Sequence, residues 1–286
     1  MPTLLVTGTS GHLGRLIVKA LLERGTAASD IVATARTIED VADLAAQGVD
    51  VRKADYTDPG SLKEAFVGVD RAVLVSSSAV GERVEHHRNV IIAAAEAGVE
   101  LLAYTSILGA DTAHLALATE HQATEQLLAE SGVPHVLLRN SWYLENYTEQ
   151  LAVALEHGVV LGSAGDGRVS AATRADYASA AAAVLSGGDH AGTVYELGGD
   201  EAFTLGEYAA ELAEISGRQV IYQNLPLDEY VSALVGAGVP AGFAQILADS
   251  DRGIARGELF TTSSDLTRLI GRPTISLAQA LRDALA

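Results

Sequence analysis

The sequence of 286 residues contains no cysteine. This absence excludes disulfide bonds, thiolate ligands for zinc or iron–sulfur clusters, and a thiol nucleophile. Folding must therefore rest on the burial of apolar side chains, which make up 48% of the residues. A chain of this length and apolar content can bury a sizeable core without covalent cross-links.

Basic residues are scarce, since 19 Lys and Arg stand against 37 Asp and Glu and give a net charge of −18. Binding to nucleic acid or to an anionic membrane surface requires a basic patch, so neither partner is expected. No uncharged apolar run reaches the ~18 residues that suggest a membrane-spanning helix. The first strand-like run starts at Thr3, which leaves no space for a signal peptide, and we therefore expect a cytoplasmic protein.

Short apolar runs alternate with segments of helical periodicity over the first half of the chain. Six of these runs are predicted to be strands, at 4–7, 31–35, 49–54, 72–76, 101–105 and 135–138. Strands that are apolar on both faces and separated by helices are typical of a parallel sheet. The pattern predicts an α/β fold with a Rossmann-type, doubly wound parallel sheet.

The clearest chemical signal is a Gly-x-x-Gly-x-x-Gly motif between the first strand and the first helix. Gly8 permits a tight turn, Gly11 lets the backbone approach a pyrophosphate, and Gly14 lets the helix pack closely on the strand. Free N–H groups at the helix N-terminus then bind the phosphates. The motif predicts dinucleotide binding, and the alternative is a glycine-rich turn without a ligand.

The alternation becomes irregular beyond Arg139. We predict an NAD(P)-binding Rossmann domain at 1–150 and a smaller α/β domain at 151–286, with a soft boundary across which elements can interleave. Ligands of open α/β sheets bind at the carboxyl ends of the strands. The smaller C-terminal domain should therefore form the other wall of the cleft.

Arg36 stands at the end of the second predicted strand, where NADH-dependent proteins usually carry an acid that binds the ribose 2′-OH. A guanidinium at this place can form a bidentate contact with a 2′-phosphate. The residue predicts a preference for NADPH, with NADH possible but weaker. The alternative is a surface arginine that begins a helix.

Two further loops are expected to line the cofactor. Asp55 follows the third predicted strand and either accepts a hydrogen bond from the adenine amino group or caps the helix that begins after Pro59. Ser76, Ser77 and Ser78 follow the fourth strand, where small hydroxyl side chains allow the cofactor to pass closely. An ordinary strand-to-helix turn is the alternative for these serines.

The helix after the fifth strand lacks the Tyr-x-x-x-Lys pair of most short-chain dehydrogenases, because 117–125 contains neither residue. An ordinary alcohol–ketone dehydrogenase is therefore not expected. His121 is the side chain in this segment that suits proton transfer near neutral pH, and a surface or packing role is the alternative. His86 and His87 do not face each other on a helix, so no metal site is expected.

Aromatic residues make up only 5% of the chain, yet its single Trp and two Tyr lie at 142–147, just after the sixth strand. Aromatic side chains at this edge of the sheet would form a flat apolar wall for a planar ligand. The alternative is a hydrophobic latch between the two regions of the chain.

Several runs of residues resemble the NmrA-like, atypical short-chain dehydrogenases, and among them the bacterial NAD(P)H:quinone oxidoreductases of type 2. The most specific runs are Leu-Leu-Arg-Asn-x-Trp-Tyr-x-Glu-Asn-Tyr at 137–147, Ala-Thr-Arg-Ala-Asp-Tyr-Ala at 172–178 and Leu-Ala-Asp-Ser-Asp at 247–251. The resemblance implies two-electron reduction of a small planar quinone by direct hydride transfer from NADPH, without flavin or metal.

The resemblance also implies roles for individual residues. Those expected to contact the cofactor are Gly8, Thr9, Ser10, Gly11, His12, Leu13, Arg36, Asp55, Ser76, Ser77, Ser78 and Asn140. Those expected to lie beside the substrate are Asn140, Ser141, Trp142, Tyr143, Leu144 and Glu145. His121 falls where several relatives carry a Lys. The proton that the product requires is expected to come from His121, Tyr143 or water.

Other members of this family are triphenylmethane dye reductases and non-catalytic redox sensors. Two alternatives to quinone reduction therefore stay open, namely a sensor that binds NAD(P) without turnover and a reductase of another planar acceptor. The sequence leaves the oligomeric state open.

Overall fold

The computed structural model describes all 286 residues. The strands are β1 (Leu4–Val6), β2 (Ile31–Ala35), β3 (Asp50–Lys53), β4 (Arg71–Leu74), β5 (Leu101–Ile107), β6 (His135–Asn140), β7 (Val159–Gly162), β8 (Val194–Leu197) and β9 (Ile221–Asn224). The helices of the first half are α1 (His12–Glu23), α2 (Ala42–Ala46), α3 (Pro59–Ala65), α4 (Arg83–Ala97) and α5 (Ala116–Ser131). Those that follow are α6 (Glu145–Thr148), α7 (Leu151–His157), α8 (Arg174–Ser186), α9 (Leu205–Ser216), α10 (Leu227–Gly236), α11 (Ala241–Ala255), α12 (Asp265–Ile270) and α13 (Leu277–Leu285).

Seven strands form one parallel sheet in the order β3-β2-β1-β4-β5-β6-β8. The chain runs outward from β1 in one direction and outward from β4 in the other. The loops after β1 and β4 therefore diverge and open a crevice at the carboxyl edge, which is the usual ligand site of such sheets. The predicted Rossmann-type, doubly wound sheet is confirmed.

The strands β1, β2 and β5 are buried at every position, because helices cover both faces of the sheet. Within β1, Leu4 and Val6 pack with α1 and α8 on one face, whereas Leu5 packs with α3, α4 and α5 on the other. This two-sided burial explains why the strands read as continuous apolar runs rather than as alternating ones. None of the helices combines the length and apolar character needed to cross a bilayer.

Residues beyond 150 contribute to both parts of the molecule. β8 pairs with β6 at the edge of the main sheet, and α8 packs against α1 beneath it. The smaller layer contains a second parallel sheet, in which β7 pairs with β9. The sequence pattern does not predict β7, because three of its four residues are only partly buried and no alternation marks it.

Candidate functional site

The loop after β1 has the geometry that a bound pyrophosphate requires. Gly8 has a φ of 62°, which is the left-handed region that favours glycine. A Cβ on Gly14 would lie 2.5 Å from the carbonyl oxygen of Gly8, and a Cβ on Gly11 would lie 3.3 Å from the same oxygen. α1 begins directly after Gly11 without a side-chain cap, so its first N–H groups are available to phosphate oxygens.

The side chains of the glycine loop divide into buried and exposed ones. Thr9 faces inward, and its N–H and hydroxyl both donate to the carbonyl oxygen of Thr34, at 2.9 and 3.0 Å. Leu13 packs in the core between α1 and the sheet. Ser10 and His12 are exposed. Thr9 and Leu13 thus fasten the loop, whereas Ser10 and His12 can reach a ligand.

Arg36 follows β2 directly and is exposed. Its guanidinium takes part in none of the ion pairs or side-chain hydrogen bonds that twelve of the other arginines form. Asp55 is a neighbour, and hydrogen bonds from Thr57 together with the charge of Arg36 hold the pKa of Asp55 below its ordinary value. Arg36 is therefore free to bind an anionic group beside Asp55.

Asp55 does not cap the helix after Pro59, so this alternative is wrong. Its Oδ1 accepts hydrogen bonds from the N–H and the hydroxyl of Thr57, at 2.9 and 2.8 Å. The cap of α3 is Asp58, whose side chain accepts from the N–H groups of the second and third helical residues. Pro at the first helical position makes the residue directly before it the cap. Adenine recognition by Asp55 stays a prediction.

The loop after β4 is held by groups from α4 and β5. The N–H of Ser76 donates to Oγ1 of Thr105 at 2.9 Å, and the N–H of Ser77 donates to Nε2 of His87 at 2.9 Å. Ser78 is exposed. The N–H groups of Ser76 and Ser77 are therefore already used, and the loop can offer a cofactor its hydroxyl groups and the N–H of Ser78.

His87 is a positioning residue that the sequence analysis missed. Its Nδ1 lies 2.9 Å from Oγ1 of Thr124, whose hydroxyl donates to the backbone oxygen of Glu120. Nδ1 must therefore carry the proton, which leaves Nε2 to accept the bond from Ser77. Burial lowers the pKa of His87 to about 3, so this neutral tautomer persists near neutral pH. No sequence signal separates such a histidine from the surface histidines.

Asn140 ends β6, and its buried side-chain oxygen, Oδ1, has no hydrogen-bond partner in the protein. Buried acceptors in native proteins are nearly always paired, so this atom is suited to accept a bond from a ligand amide or hydroxyl. The Tyr143 phenol lies next to the Asn140 amide. Burial raises the pKa of Tyr143, although the Asn140 amide acts in the opposite direction, and the phenol is neutral near pH 7.

The predicted substrate segment contains both structural and accessible side chains. Ser141 is buried and donates to the backbone oxygen of Leu259 at 2.9 Å. Leu144 lies in the core of the smaller layer, and Glu145 accepts a bond from the backbone N–H of Arg174 at 2.9 Å. These three residues anchor the segment. A role in substrate contact stays a prediction for each of them.

The aromatic side chains at 142–147 do not form one wall. Tyr143 packs edge-on against Tyr177, with ring centroids 5.6 Å apart, and against the main core. Trp142 packs against the core of the smaller layer, and Tyr147 lies 5.3 Å from the ring of Phe203 in the same layer. Tyr147 thus fits the hydrophobic latch, whereas Tyr143 lies beside Asn140.

His121 lies in α5 and is buried rather than exposed. Its Nδ1 lies 2.7 Å from the hydroxyl of Tyr104 in β5. Burial and the nearby charge of Arg83 lower the pKa of His121 to about 3. The imidazole is therefore neutral near pH 7, and its role as a proton donor stays a prediction.

Arg83 at the start of α4 is a second residue that the sequence analysis missed. Its Nη1 is buried without an acceptor, and its charge acts on Tyr104, His121 and Tyr143. No motif marks this position, since Arg83 lies beyond the serine loop and within a segment of mixed polar residues.

Comparison with known proteins agrees with this geometry. A family model described as NAD(P)H-binding matches residues 8–187, from the glycine loop through α8. The chain belongs to this NAD(P)H-binding family. It is 51% identical over 276 residues to quinone oxidoreductase 2 of Escherichia coli, with 96% of each chain covered.

Two solved structures of family members extend the similarity to the backbone. An NADPH-dependent quinone oxidoreductase of Escherichia coli in complex with NADPH matches with a TM-score of 0.97 and 50% identity, over 99% of this chain and 100% of that one. A triphenylmethane reductase of Citrobacter sp. in complex with NADP(H) matches with a TM-score of 0.94 and 37% identity, over 98% and 99%. The predicted NmrA-like family and its NADPH-type cofactor are confirmed.

The protein described here presents groups that fit an NADPH-type cofactor. The uncapped start of α1 offers N–H donors for the pyrophosphate. Arg36 offers an unpaired guanidinium, and Asn140 offers an unpaired buried oxygen. These groups follow β1, β2 and β6, so they lie along one edge of the sheet.

Proposed function

We propose that this protein is an NADPH-dependent quinone oxidoreductase. The observation that carries the proposal is the end-to-end similarity to the Escherichia coli quinone oxidoreductase, at 51% identity, together with the backbone match to its NADPH complex. Similarity over the whole chain includes both the glycine loop and the smaller layer, which we expect to form the second wall of the cleft. Similarity of fold alone would not establish the activity, because function depends on the residues of the site.

Binding of NADPH would use groups from three strand ends. The first N–H groups of α1 would hold the pyrophosphate, and Arg36 would bind the 2′-phosphate. Oδ1 of Asn140 is buried without a partner and would accept a hydrogen bond from the nicotinamide carboxamide, which would place the reactive ring at the end of β6. NADPH supplies a hydride when bound.

The protein's contribution to hydride transfer is orientation and exclusion of water. Tyr143 is held between Tyr177 and the guanidinium of Arg174, which lies 5.1 Å from the centre of its ring. This rigid phenol beside Asn140 is suited to lie against a flat acceptor. The buried Ser141 and Leu144 fix the backbone on either side of it.

The reduced quinone requires one proton, which a weak acid can deliver. The phenol of Tyr143 is neutral and can donate, as can water from the open crevice. His121 is neutral near pH 7 and cannot act there as an imidazolium acid. We retain a small planar quinone as the expected substrate and the cytoplasm as the expected compartment, and the oligomeric state stays open.

The test is to follow NADPH oxidation by purified protein that has been shown spectroscopically to be free of flavin. Quinone-dependent oxidation that is faster with NADPH than with NADH is expected. Tight NADPH binding without turnover on quinones, dyes or enones would contradict the proposal and favour the sensor. The same assay without quinone controls for oxidation by oxygen.

Dye reduction is a second candidate. The triphenylmethane reductase of Citrobacter sp. matches 98% of the present chain with 37% identity. A triphenylmethane dye is planar at its central carbon and accepts a hydride, as a quinone does. Bleaching of such a dye with a higher kcat/KM than any simple quinone would favour this candidate.

A further inference from the structure

Arg83 is fixed at the start of α4 by bonds to its side chain and its backbone. Nε donates to the backbone oxygen of Ser77 at 2.5 Å, and the backbone N–H donates to Oε1 of Glu120 at 3.2 Å. The same glutamate oxygen accepts from the N–H of Gly81 at 3.0 Å. The guanidinium is therefore held beside the loop after β4, one of the two loops that open the crevice.

Nη1 of Arg83 is buried and has no acceptor in the protein. No carboxylate lies within 4.0 Å of this guanidinium, whereas the buried Arg139 has three such partners. Arg83 as a whole is half-buried, and a buried N–H of a cation that has no acceptor is unfavourable, because nothing replaces the hydration that it loses. The unpaired N–H is therefore available to an oxygen that carries negative charge.

The hydrogen bonds of Arg83 to Ser77 and Glu120 place it between the loop after β4 and helix α5. Its charge acts on Tyr104, His121 and Tyr143, and Tyr143 lies beside Asn140 at the end of β6. Burial keeps both the phenols and the imidazole of His121 neutral near pH 7. None of these groups can balance the positive charge.

The other charged groups near the same rings already have partners. Glu125 binds Arg139 at 2.7 Å, and Arg174 binds Glu149 at 2.6 Å. Glu145 accepts from the backbone N–H of Arg174. Glu120 accepts bonds from the backbone N–H groups of Gly81 and Arg83, and it makes no ion pair with the guanidinium of Arg83.

We propose that Arg83 stabilises the oxyanion that forms on the quinone when hydride is transferred, an assignment that rests on the proposed function. The quinone gains a hydride, which is two electrons and one proton, and becomes a hydroquinone monoanion while NADPH becomes NADP⁺. A proton from water or Tyr143 then neutralises the oxygen. A fixed cation at this place compensates for the absent Tyr-x-x-x-Lys pair, because charge stabilisation replaces immediate protonation.

The test compares Arg83→Gln and Arg83→Lys with the wild type on a series of quinones whose hydroquinones differ in first pKa. Arg83→Gln should lower kcat/KM by about 100-fold, at the lower end of the roughly 10²–10³-fold loss found when one oxyanion donor is removed. The loss should grow with the pKa of the hydroquinone, because a less stable anion depends more on the cation. Arg83→Lys should recover part of the activity, and the NADPH dissociation constant should stay unchanged.

Arg88→Gln is the matched control, since Arg88 lies on the same helix but is exposed and pairs with Glu85 at the surface. It should behave as the wild type. Thermal unfolding of each variant checks the fold, and Arg83→Lys keeps the charge dependence measurable if Arg83→Gln does not fold.

Three results would overturn the assignment. A raised NADPH dissociation constant with an equal loss on every quinone would place Arg83 on the cofactor ribose instead. Unchanged activity of Arg83→Gln beside an active wild type would refute the assignment and leave the proposed function standing. An inactive wild type would refute both.

Discussion

The hydroxyl of Tyr104 lies 2.7 Å from Nδ1 of His121, and both side chains are buried. The pair ends a row of rings that runs behind the crevice, since His87 lies 5.4 Å from Tyr104 and Tyr56 lies 6.5 Å from His87. A histidine in this setting is a buried, neutral hydrogen-bonding group. It links α5 to β5.

We expect His121→Asn to leave the pH dependence of kcat/KM for the quinone unchanged between about pH 5 and 8. The pKa of His121 is lowered to about 3, so the residue does not titrate in this range, and asparagine can keep the bond to Tyr104. The loss in rate should stay well below the roughly 10²–10⁴-fold that general acid catalysis supplies. If the wild-type pH profile of kcat/KM falls near pH 6.5 and this fall disappears in the variant, His121 is the proton donor.

We expect Arg36→Gln to raise the KM for NADPH by about tenfold or more and to leave the KM for NADH nearly unchanged. Only NADPH carries the 2′-phosphate, and a hydrogen bond to a charged group contributes about 1.5–3 kcal/mol. Steady-state kinetics with both cofactors measure the effect. Arg24→Gln is the control, because Arg24 lies at the C-terminal end of α1, which is the end away from the glycine loop. An equal rise for both cofactors would remove Arg36 from 2′-phosphate recognition.

We expect Asn140→Leu to leave the thermal stability of the ligand-free protein unchanged or higher while it weakens turnover by about tenfold or more. The buried Oδ1 of Asn140 has no partner in the protein, so its removal relieves an unsatisfied acceptor. Thermal unfolding without cofactor and kcat/KM with NADPH are the two measurements. A stability loss above about 2 kcal/mol would instead show that the amide is structural.

We expect Asp251→Asn to stabilise the protein at about pH 8 and to have much less effect near pH 4. Burial raises the pKa of Asp251 from 3.8 to about 6, so the folded protein binds more protons than the unfolded chain between these values. The free energy of unfolding therefore falls as the pH rises through this window, by about 2–3 kcal/mol in total. Asparagine removes the charge but can still accept the bond that the N–H of Ser163 donates to Asp251.

Urea unfolding of the wild type and Asp251→Asn at the two pH values isolates this effect. The quantity to compare is the difference in the free energy of unfolding between the two proteins, because other groups titrate in the same pH range and affect both. Asp249→Asn is the control, since Asp249 lies two residues away and accepts the N–H of Ala116 at the surface. A difference that is constant with pH would contradict a raised pKa at Asp251.

Features that depend on neighbours in sequence could be predicted. The apolar runs that form the buried strands predicted the parallel sheet, and the glycine spacing predicted the loop in which Gly14 approaches Gly8. Arg36 stands directly after β2, so its place followed from the strand prediction alone. Asp55 shows the limit of such reasoning, because the helix cap belongs to Asp58, three residues later.

The sheet, the glycine loop and the family can be predicted from local properties of the chain, namely periodicity, glycine spacing and runs of residues. Which polar groups are buried without partners depends on how distant elements pack in the folded protein. Arg83 and Asn140 lie on separate elements, and each has an unpaired atom because no other part of the fold supplies a partner. The pairing of β7 with β9 likewise joins segments about sixty residues apart, and the packing of the whole chain selects it.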